Sequence, residues 1–178
     1  MKRRSSTGME RLPALACLLI LSHAAGAEEV YLSVPDFVDQ AFEGDAPEAQ
    51  MFWLDSDERT QARKLAGEDP GFRQRYWRRE DRTAWVLEAV GRDHPITMGW
   101  VVEGERIRQL EILIYRESRG WEVRYPYYTK QFKQARLEDG KLSRDIDGIT
   151  GATLSVEATQ RLAKLALWLH EEVVSAAD

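Results

Sequence analysis

Hydrophobic and polar residues alternate with a period of two through the middle of the chain, a pattern typical of β-strands with one buried face. The alternation is weak over residues 72–79 and clearer over residues 83–90. It returns over residues 96–102 and 107–115, and the turns between these segments are short and polar. Successive strands joined by such turns predict an antiparallel meander. Its core face is expected to include Trp85, Trp100, Ile112 and Ile114.

Two shorter segments before the strands have the period of an α-helix. Residues 35–42 predict a short helix that turns Phe37, Val38 and Phe42 inward. A second helix is predicted to start at residues 55–58, where acidic side chains suit a first turn, and to stop at Gly67.

The longest helical pattern lies at the C-terminal end, over residues 156–174. We expect Ser155 to cap this helix, because serine is a preferred residue at that position. An antiparallel meander packed by helices predicts an α+β fold, in which the C-terminal helix follows the turn at residues 147–153. One face of the helix carries Leu162, Leu165, Ala166, Leu169 and Val173.

Residues 1–27 have the order of a secretory signal peptide. Lys2, Arg3 and Arg4 precede a short apolar run at residues 12–21, and an A-x-A site ends at Ala27. We therefore expect export to the periplasm with cleavage after Ala27. If the segment is retained, it would instead anchor the protein at the outer face of the inner membrane. The predicted organisation is a signal peptide over 1–27, an N-terminal helical extension over 28–70 and the main domain over 71–178.

Composition excludes several functional classes for the exported chain. Its only cysteine lies in the signal segment, which rules out disulfides, thiol chemistry and cysteine-ligated clusters. His94 and His170 are far apart in the chain, so we expect surface or capping histidines and no metal site. The net formal charge after residue 27 is −8, which argues against nucleic acid as a partner. Neither G-x-G-x-x-G nor a phosphate-binding P-loop is present.

Residues 147–153 form a glycine- and hydroxyl-rich turn that leads into the C-terminal helix. Gly148 and Gly151 allow a sharp turn or a close approach to a ligand. Thr150, Thr153 and Ser155 place hydroxyl groups where the free N–H groups of a helix start favour an anion. The pattern has two interpretations, an ordinary capping turn or a phosphate site.

The same residues resemble a known signature. Asp147, Thr150, Gly151, Ala152 and Thr153 match the D-x-x-[ST]-G-A-[TS] motif of FMN-binding domains. This family includes the periplasmic flavoprotein subunits of the sodium-pumping NADH:quinone reductase and of the Rnf complex. The resemblance implies that Thr153 carries FMN through a phosphoester, attached by a separate flavin transferase that uses FAD and magnesium. It further implies that Asp147 is the carboxylate the transferase needs, and that Thr150, Gly151 and Ala152 shape the turn around the phosphate.

Two more segments resemble the family in the expected order. Glu117, Ser118 and Gly120 match its E-[ST]-x-G loop, which implies that they line the flavin ring, although Arg119 stands where respiratory subunits often have proline. Residues 131–134 match the family's Q-F-x-G segment in part, because Gln134 replaces the glycine. The resemblance makes Arg119 or Lys130 a candidate for a charge near the ring. Without the resemblance to the family, residues 117–120 would be interpreted as an ordinary polar turn.

The resemblance covers roughly residues 80–175 and implies a periplasmic flavoprotein that relays electrons between a membrane or periplasmic donor and acceptor. An electron carrier is favoured over a stand-alone enzyme, because no nucleophile–base or carboxylate pair stands out. Aromatic and basic residues interleave over 121–133, a composition that can stack a planar ring or simply form core with a solvated rim. The alternative is a non-redox periplasmic module of the same fold that binds a peptide, a lipid or a membrane-protein loop.

Overall fold

The computed structural model describes residues 28–176, so the predicted signal segment lies outside the described residues. The sheet has six antiparallel strands in the order β1-β6-β5-β4-β3-β2, which confirms the predicted meander and the α+β class. A separate hairpin of two short strands follows it. The strands are β1 (Glu29–Val30), β2 (Ala49–Trp53), β3 (Arg73–Arg79), β4 (Arg82–Val90), β5 (Pro95–Glu103), β6 (Arg106–Tyr115), β7 (Leu137–Glu138) and β8 (Lys141–Leu142).

The described residues contain four α-helices, and two short 3-10 turns flank the third. Helix α2 begins and ends as predicted, because Asp55 and Glu58 form a reciprocal capping box and Gly67 adopts a left-handed conformation with φ of 75°. No helix of residues 28–176 has the length and apolar character of a membrane span. The helices are α1 (Val34–Ala41), α2 (Ser56–Ala66), α3 (Pro126–Thr129) and α4 (Thr153–Ser175).

Helices cover the two faces of the sheet unequally. Helices α2 and α4 pack on one face and enclose the larger core, in which Trp85 and Trp100 are fully buried. Helix α1 packs on the other face through Phe37, Val38 and Phe42, as predicted. It approaches closely because β5 has a glycine there. A Cβ on Gly99 would lie 2.6 Å from the Phe37 ring.

The predicted core face is correct for three of its four residues and wrong for Ile114. Trp85, Trp100 and Ile112 belong to the larger core. Ile114 packs instead against the α1 cluster, together with Leu113. The reason is a bulge in β6, where Thr97 pairs with Ile114 but Met98 pairs with Ile112. One extra residue in a strand reverses the side to which the following side chains point.

Residues 28–70 contribute more than the two predicted helices. β1 and β2 are the two edges of the main sheet, paired with β6 and β3 respectively. Short or exposed strands of this kind carry little period-two signal, so the sequence pattern did not reveal them. This region therefore shares one sheet and one core with the residues that follow it.

The expectation of a surface or capping histidine is wrong for His170. Its side chain is buried between α4 and β4, and Nδ1 lies 2.8 Å from Thr83 Oγ1. Thr83 in turn accepts a hydrogen bond from the Trp85 indole. Burial lowers the pKa of His170 below its ordinary value, because desolvation penalises the charged imidazolium. His170 is therefore a core residue near the C-terminal end of α4, whereas His94 is exposed.

Candidate functional site

The 147–153 turn ends at the first residue of α4. Thr153 occupies that first helical position with an exposed side chain, and Thr150 is exposed as well. Gly151 has a φ of 84°, and a Cβ there would meet no atom within 4 Å, so the space beside the turn is open. The backbone bends back at this point, because the Ala152 N–H donates to the Ile149 carbonyl at 3.0 Å.

The start of α4 has no side-chain cap among the described residues, and the predicted cap at Ser155 is wrong. The helix begins three residues earlier than predicted, so Ala152 stands at the N-cap position and Ser155 lies within the first turn. Alanine has no side-chain acceptor for the first N–H groups of the helix. Those donors and the positive end of the helix dipole suit an anion next to the Thr153 hydroxyl.

Ser155 has a different role, as one partner of a buried hydrogen-bond node. The Tyr115 hydroxyl donates to the Arg119 carbonyl and lies 2.9 Å from Ser155 Oγ. Because the single phenol proton goes to Arg119, the Ser155 hydroxyl donates to Tyr115. Burial raises the pKa of Tyr115 to about 12, so the phenol stays protonated at neutral pH. This node ties the 117–120 loop to the first turn of α4.

Gly120 makes the close approach of these two segments possible. It is buried with a φ of 85°, and a Cβ on it would lie 2.7 Å from Ser155 Oγ and 2.9 Å from the Tyr115 hydroxyl. The same Cβ would be 3.3 Å from Ala152 Cβ. The glycine of the E-[ST]-x-G loop is therefore required both by its backbone conformation and by its contact with the attachment turn.

Replacing Gly120 by alanine is expected to destabilise the fold by about 2–4 kcal/mol, because overpacking adds to the strain of a positive φ. The measurement is urea unfolding of the variant beside Gly148→Ala. A Cβ on Gly148 would meet no atom within 4 Å, so this control should change stability little. Equal stability of both variants and the parent protein would contradict the packing described for this loop.

Glu117 is placed by the structure against the turn between β4 and β5. Its Oε1 accepts hydrogen bonds from the backbone N–H groups of Arg92, Asp93 and His94 at 2.5, 2.7 and 2.9 Å. Burial acts to raise the pKa of Glu117, but the three N–H donors outweigh it, so the pKa lies below its ordinary value. The ionised carboxylate therefore fixes the base of the loop. Ser118, one residue on, is exposed.

The partial third motif, residues 131–134, also contacts the attachment turn. Gln131 Oε1 accepts a hydrogen bond from the backbone N–H of Asp147 at 2.7 Å. The Asp147 side chain itself is exposed. Gln134, which replaces the family's glycine, has a φ of 70°. Glycine is favoured in that conformation, so the motif's backbone geometry persists although its residue differs. The Gln134 N–H donates to the Ile107 carbonyl of β6 at 2.8 Å.

All three motif segments thus lie at the same end of α4. The structure brings residues 117–120 into contact with Ala152 and Ser155, and it links Gln131 to Asp147. Sequence patterns did not identify Tyr115, which looked like the last residue of a strand. Lys130 is exposed beside Gln131.

The residues present at this site fit a phosphorylated flavin. An exposed hydroxyl, uncapped helix N–H groups and open space beside Gly151 suit a phosphate attached at Thr153. Groups of three or more histidine, cysteine or acidic side chains that could hold a metal ion do not occur within residues 28–176.

Comparison with known proteins agrees with this geometry. The fold is an α+β domain whose three motif segments meet at an anion-receptive helix start. Residues 91–168 match the family model of the FMN-binding domain, which confirms the predicted resemblance. All three motif segments lie inside the matched range. Searches of curated proteins and of solved structures find no match.

Proposed function

We propose that this protein is an exported flavoprotein that carries FMN through a phosphoester on Thr153 and relays electrons between redox partners. One observation carries the proposal. The Thr153 hydroxyl is exposed at the uncapped start of α4, inside the range that matches the FMN-binding domain. An ordinary capping turn would place its hydroxyl at the N-cap, where this chain has alanine.

Attachment would make Thr153 Oγ the nucleophile toward FAD, in the active site of a flavin transferase with magnesium. A bond forms between Oγ and the phosphorus on the riboflavin side, the phosphoanhydride breaks, AMP leaves, and a base accepts the hydroxyl proton. Asp147 is exposed six residues earlier in the same turn, where the transferase can reach its carboxylate. Its backbone N–H is fixed by Gln131, so the turn is already shaped before the transferase binds.

After attachment, the protein's own groups would hold the phosphate and orient the cofactor. The N–H groups of the first α4 turn can donate to phosphate oxygens, a contribution of about 0.3–1 kcal/mol per exposed charge at a helix start. Thr150, Gly151 and Ala152 shape the turn around it, and Glu117, Ser118 and Gly120 form the neighbouring loop. A bound flavin supplies redox chemistry, while the protein sets its binding and potential.

A covalent tether suits an electron carrier outside the cytoplasm. Because the linked cofactor cannot diffuse away, its effective concentration at the site stays high where free FMN is scarce. Electron donors and acceptors would be membrane or periplasmic redox proteins. The proposed location is the periplasm, at or near the outer face of the inner membrane.

Export can be tested on its own. We expect cleavage after Ala27, because the basic, apolar and A-x-A segments follow in the order of a signal peptide. N-terminal sequencing of protein released from the periplasm should therefore begin at Glu28. Recovery of the chain with Met1 in the membrane fraction would show retention of the segment as an anchor.

Co-expression tests the proposed function. Protein exported together with a flavin transferase should be yellow, keep its flavin after denaturation, lose colour with dithionite and recover it in air. Colourless protein under these conditions would favour a non-redox binding module of the same fold.

A further inference from the structure

An exposed aromatic cluster surrounds Arg124 next to the attachment turn. The Trp121 ring stands edge-on to Tyr125, with centroids 5.7 Å apart and an interplanar angle of 79°. Tyr127 continues the row at 6.0 Å from Tyr125. Trp121 and Tyr127 are 39% and 59% exposed, so with Tyr125 they form a contiguous aromatic patch at the surface. The fold alone does not require such rings at the surface.

The cluster holds a cation among its ring faces. The Arg124 guanidinium lies 4.3 Å from the centroid of Tyr31, 5.2 Å from Tyr125 and 5.5 Å from Trp121. Its Nε is buried and has no hydrogen-bond partner among the described residues. A buried donor without a partner is rare, and a bound acceptor is one explanation for it. A positive charge is therefore fixed directly behind the exposed rings.

The cluster lies within reach of the attachment residue. Trp121 follows Gly120, and a Cβ on Gly120 would be 3.3 Å from Ala152 Cβ, next to Thr153. Summing these contacts with standard backbone lengths puts the Cα atoms of Trp121 and Thr153 at most about 14 Å apart. An indole side chain and the ribityl chain of a flavin are each long enough to shorten that gap considerably.

We propose that the Trp121 ring is the surface on which the flavin ring rests, with Arg124 as the cation that favours the reduced cofactor. The proposal rests on the proposed function and names the residues that would receive the ring. Stacking on tryptophan is a general way to hold a planar aromatic ligand. A nearby cation stabilises the negative charge that a flavin gains on reduction, because opposite charges attract strongly in a partly desolvated site.

The first test measures flavin fluorescence. An indole in contact with an excited flavin donates an electron to it and quenches its emission. In flavin-loaded protein, Trp121→Ser should therefore increase the fluorescence per bound flavin several-fold. Tyr127→Ser is the matched control, because Tyr127 is more exposed and makes no contact with Arg124. Unchanged emission from fully loaded Trp121→Ser would overturn the stacking surface.

The second test measures the reduction potential of the loaded protein. Arg124→Gln should shift the midpoint potential to a lower value, and Arg124→Lys should restore much of it because the charge is kept. Arg136→Gln controls for the loss of a positive charge, since Arg136 lies near the C-terminal end of α4. Equal shifts for Arg124→Gln and Arg136→Gln would contradict a specific role for Arg124.

A third measurement separates this proposal from covalent attachment. Riboflavin has no phosphate, so its binding to unloaded Thr153→Val protein does not depend on the attachment chemistry. Titration with Thr153→Val protein should quench the fluorescence of riboflavin. The double variant, which carries Trp121→Ser as well, should not quench it. If the parent protein acquires no covalent flavin but riboflavin is quenched, the role of Trp121 as the ring surface is supported and the attachment site is wrong. If loading succeeds and Trp121 affects neither flavin, the ring surface is wrong.

Discussion

Thr153→Val protein is expected to carry no covalent flavin, whereas Thr153→Ser should retain part of the modification. Valine keeps the size and branching of threonine but lacks the hydroxyl that must form the phosphoester. Serine keeps the hydroxyl and changes only its rotamer preferences. Each variant is co-expressed with a flavin transferase, denatured and separated on a gel, where covalently bound flavin remains fluorescent. Labelling should be absent from Thr153→Val and reduced but clearly visible in Thr153→Ser.

Stability should not explain that difference. Thr153 is exposed, and substitutions at exposed positions usually change stability by about 0.5 kcal/mol or less. Ser175→Ala is the control, because it removes an exposed hydroxyl at the opposite end of α4, outside the attachment motif. It should leave the fluorescent band in place. Undiminished labelling of Thr153→Val would refute the attachment site.

Asp147→Ala is expected to slow flavin loading by at least about tenfold, which corresponds to about 1.4 kcal/mol of lost transition-state stabilisation. Its carboxylate is exposed while its backbone N–H donates to Gln131, so alanine removes the charge and preserves the turn. The initial rate of loading is measured with purified transferase, FAD and magnesium. The unloaded variant should unfold at the same urea concentration as the parent.

Two controls show whether Asp147 acts by its position. Asp145→Ala removes an exposed carboxylate two residues earlier and should load at the parental rate. Ser118→Ala lies in the neighbouring loop and should also load normally, since Ser118 is not part of the attachment motif. If Asp145→Ala slows loading as much as Asp147→Ala, the general charge of the turn matters and the motif carboxylate has no special role.

Much of the fold follows from local sequence signals. Helix α2 was predicted to its ends, because Asp55, Glu58 and Gly67 are capping residues whose positions define a helix without further context. The central strands β3 to β6 were predicted from a different local signal, the period-two alternation of hydrophobic and polar residues. The edge strands β1 and β2 were missed because exposed edges carry little of that alternation.

The misplaced residues depend on tertiary contacts. A bulge in β6 moved Ile114 to the α1 side of the sheet, and such a bulge leaves no clear mark in the pattern of hydrophobic residues. Ser155 looked like a cap, yet it lies inside α4 because Tyr115 supplies a buried hydrogen-bond partner. His170 was predicted to lie at the surface, because its buried hydrogen-bond partner, Thr83 of β4, is far from it in the sequence.

The candidate site also combines features that local sequence reveals with features that depend on tertiary contacts. The motif residues were readable along the chain, but their convergence depends on contacts between segments far apart in sequence. Tyr115 and Ser155 connect two motifs, and Gln131 connects the third to Asp147. Gln134 illustrates the limit of motif matching. Its residue departs from the family pattern, while its φ of 70° keeps the backbone conformation that the glycine would provide.

The most direct test of the account is peptide mass spectrometry of the exported protein after co-expression with a flavin transferase. The intact mass should increase by one FMN less one water, and fragment ions should place the whole addition on Thr153. The parent expressed without the transferase serves as the control and should have the unmodified mass. An unmodified mass in the presence of an active transferase, or an FMN located on any other residue, would contradict the central claim.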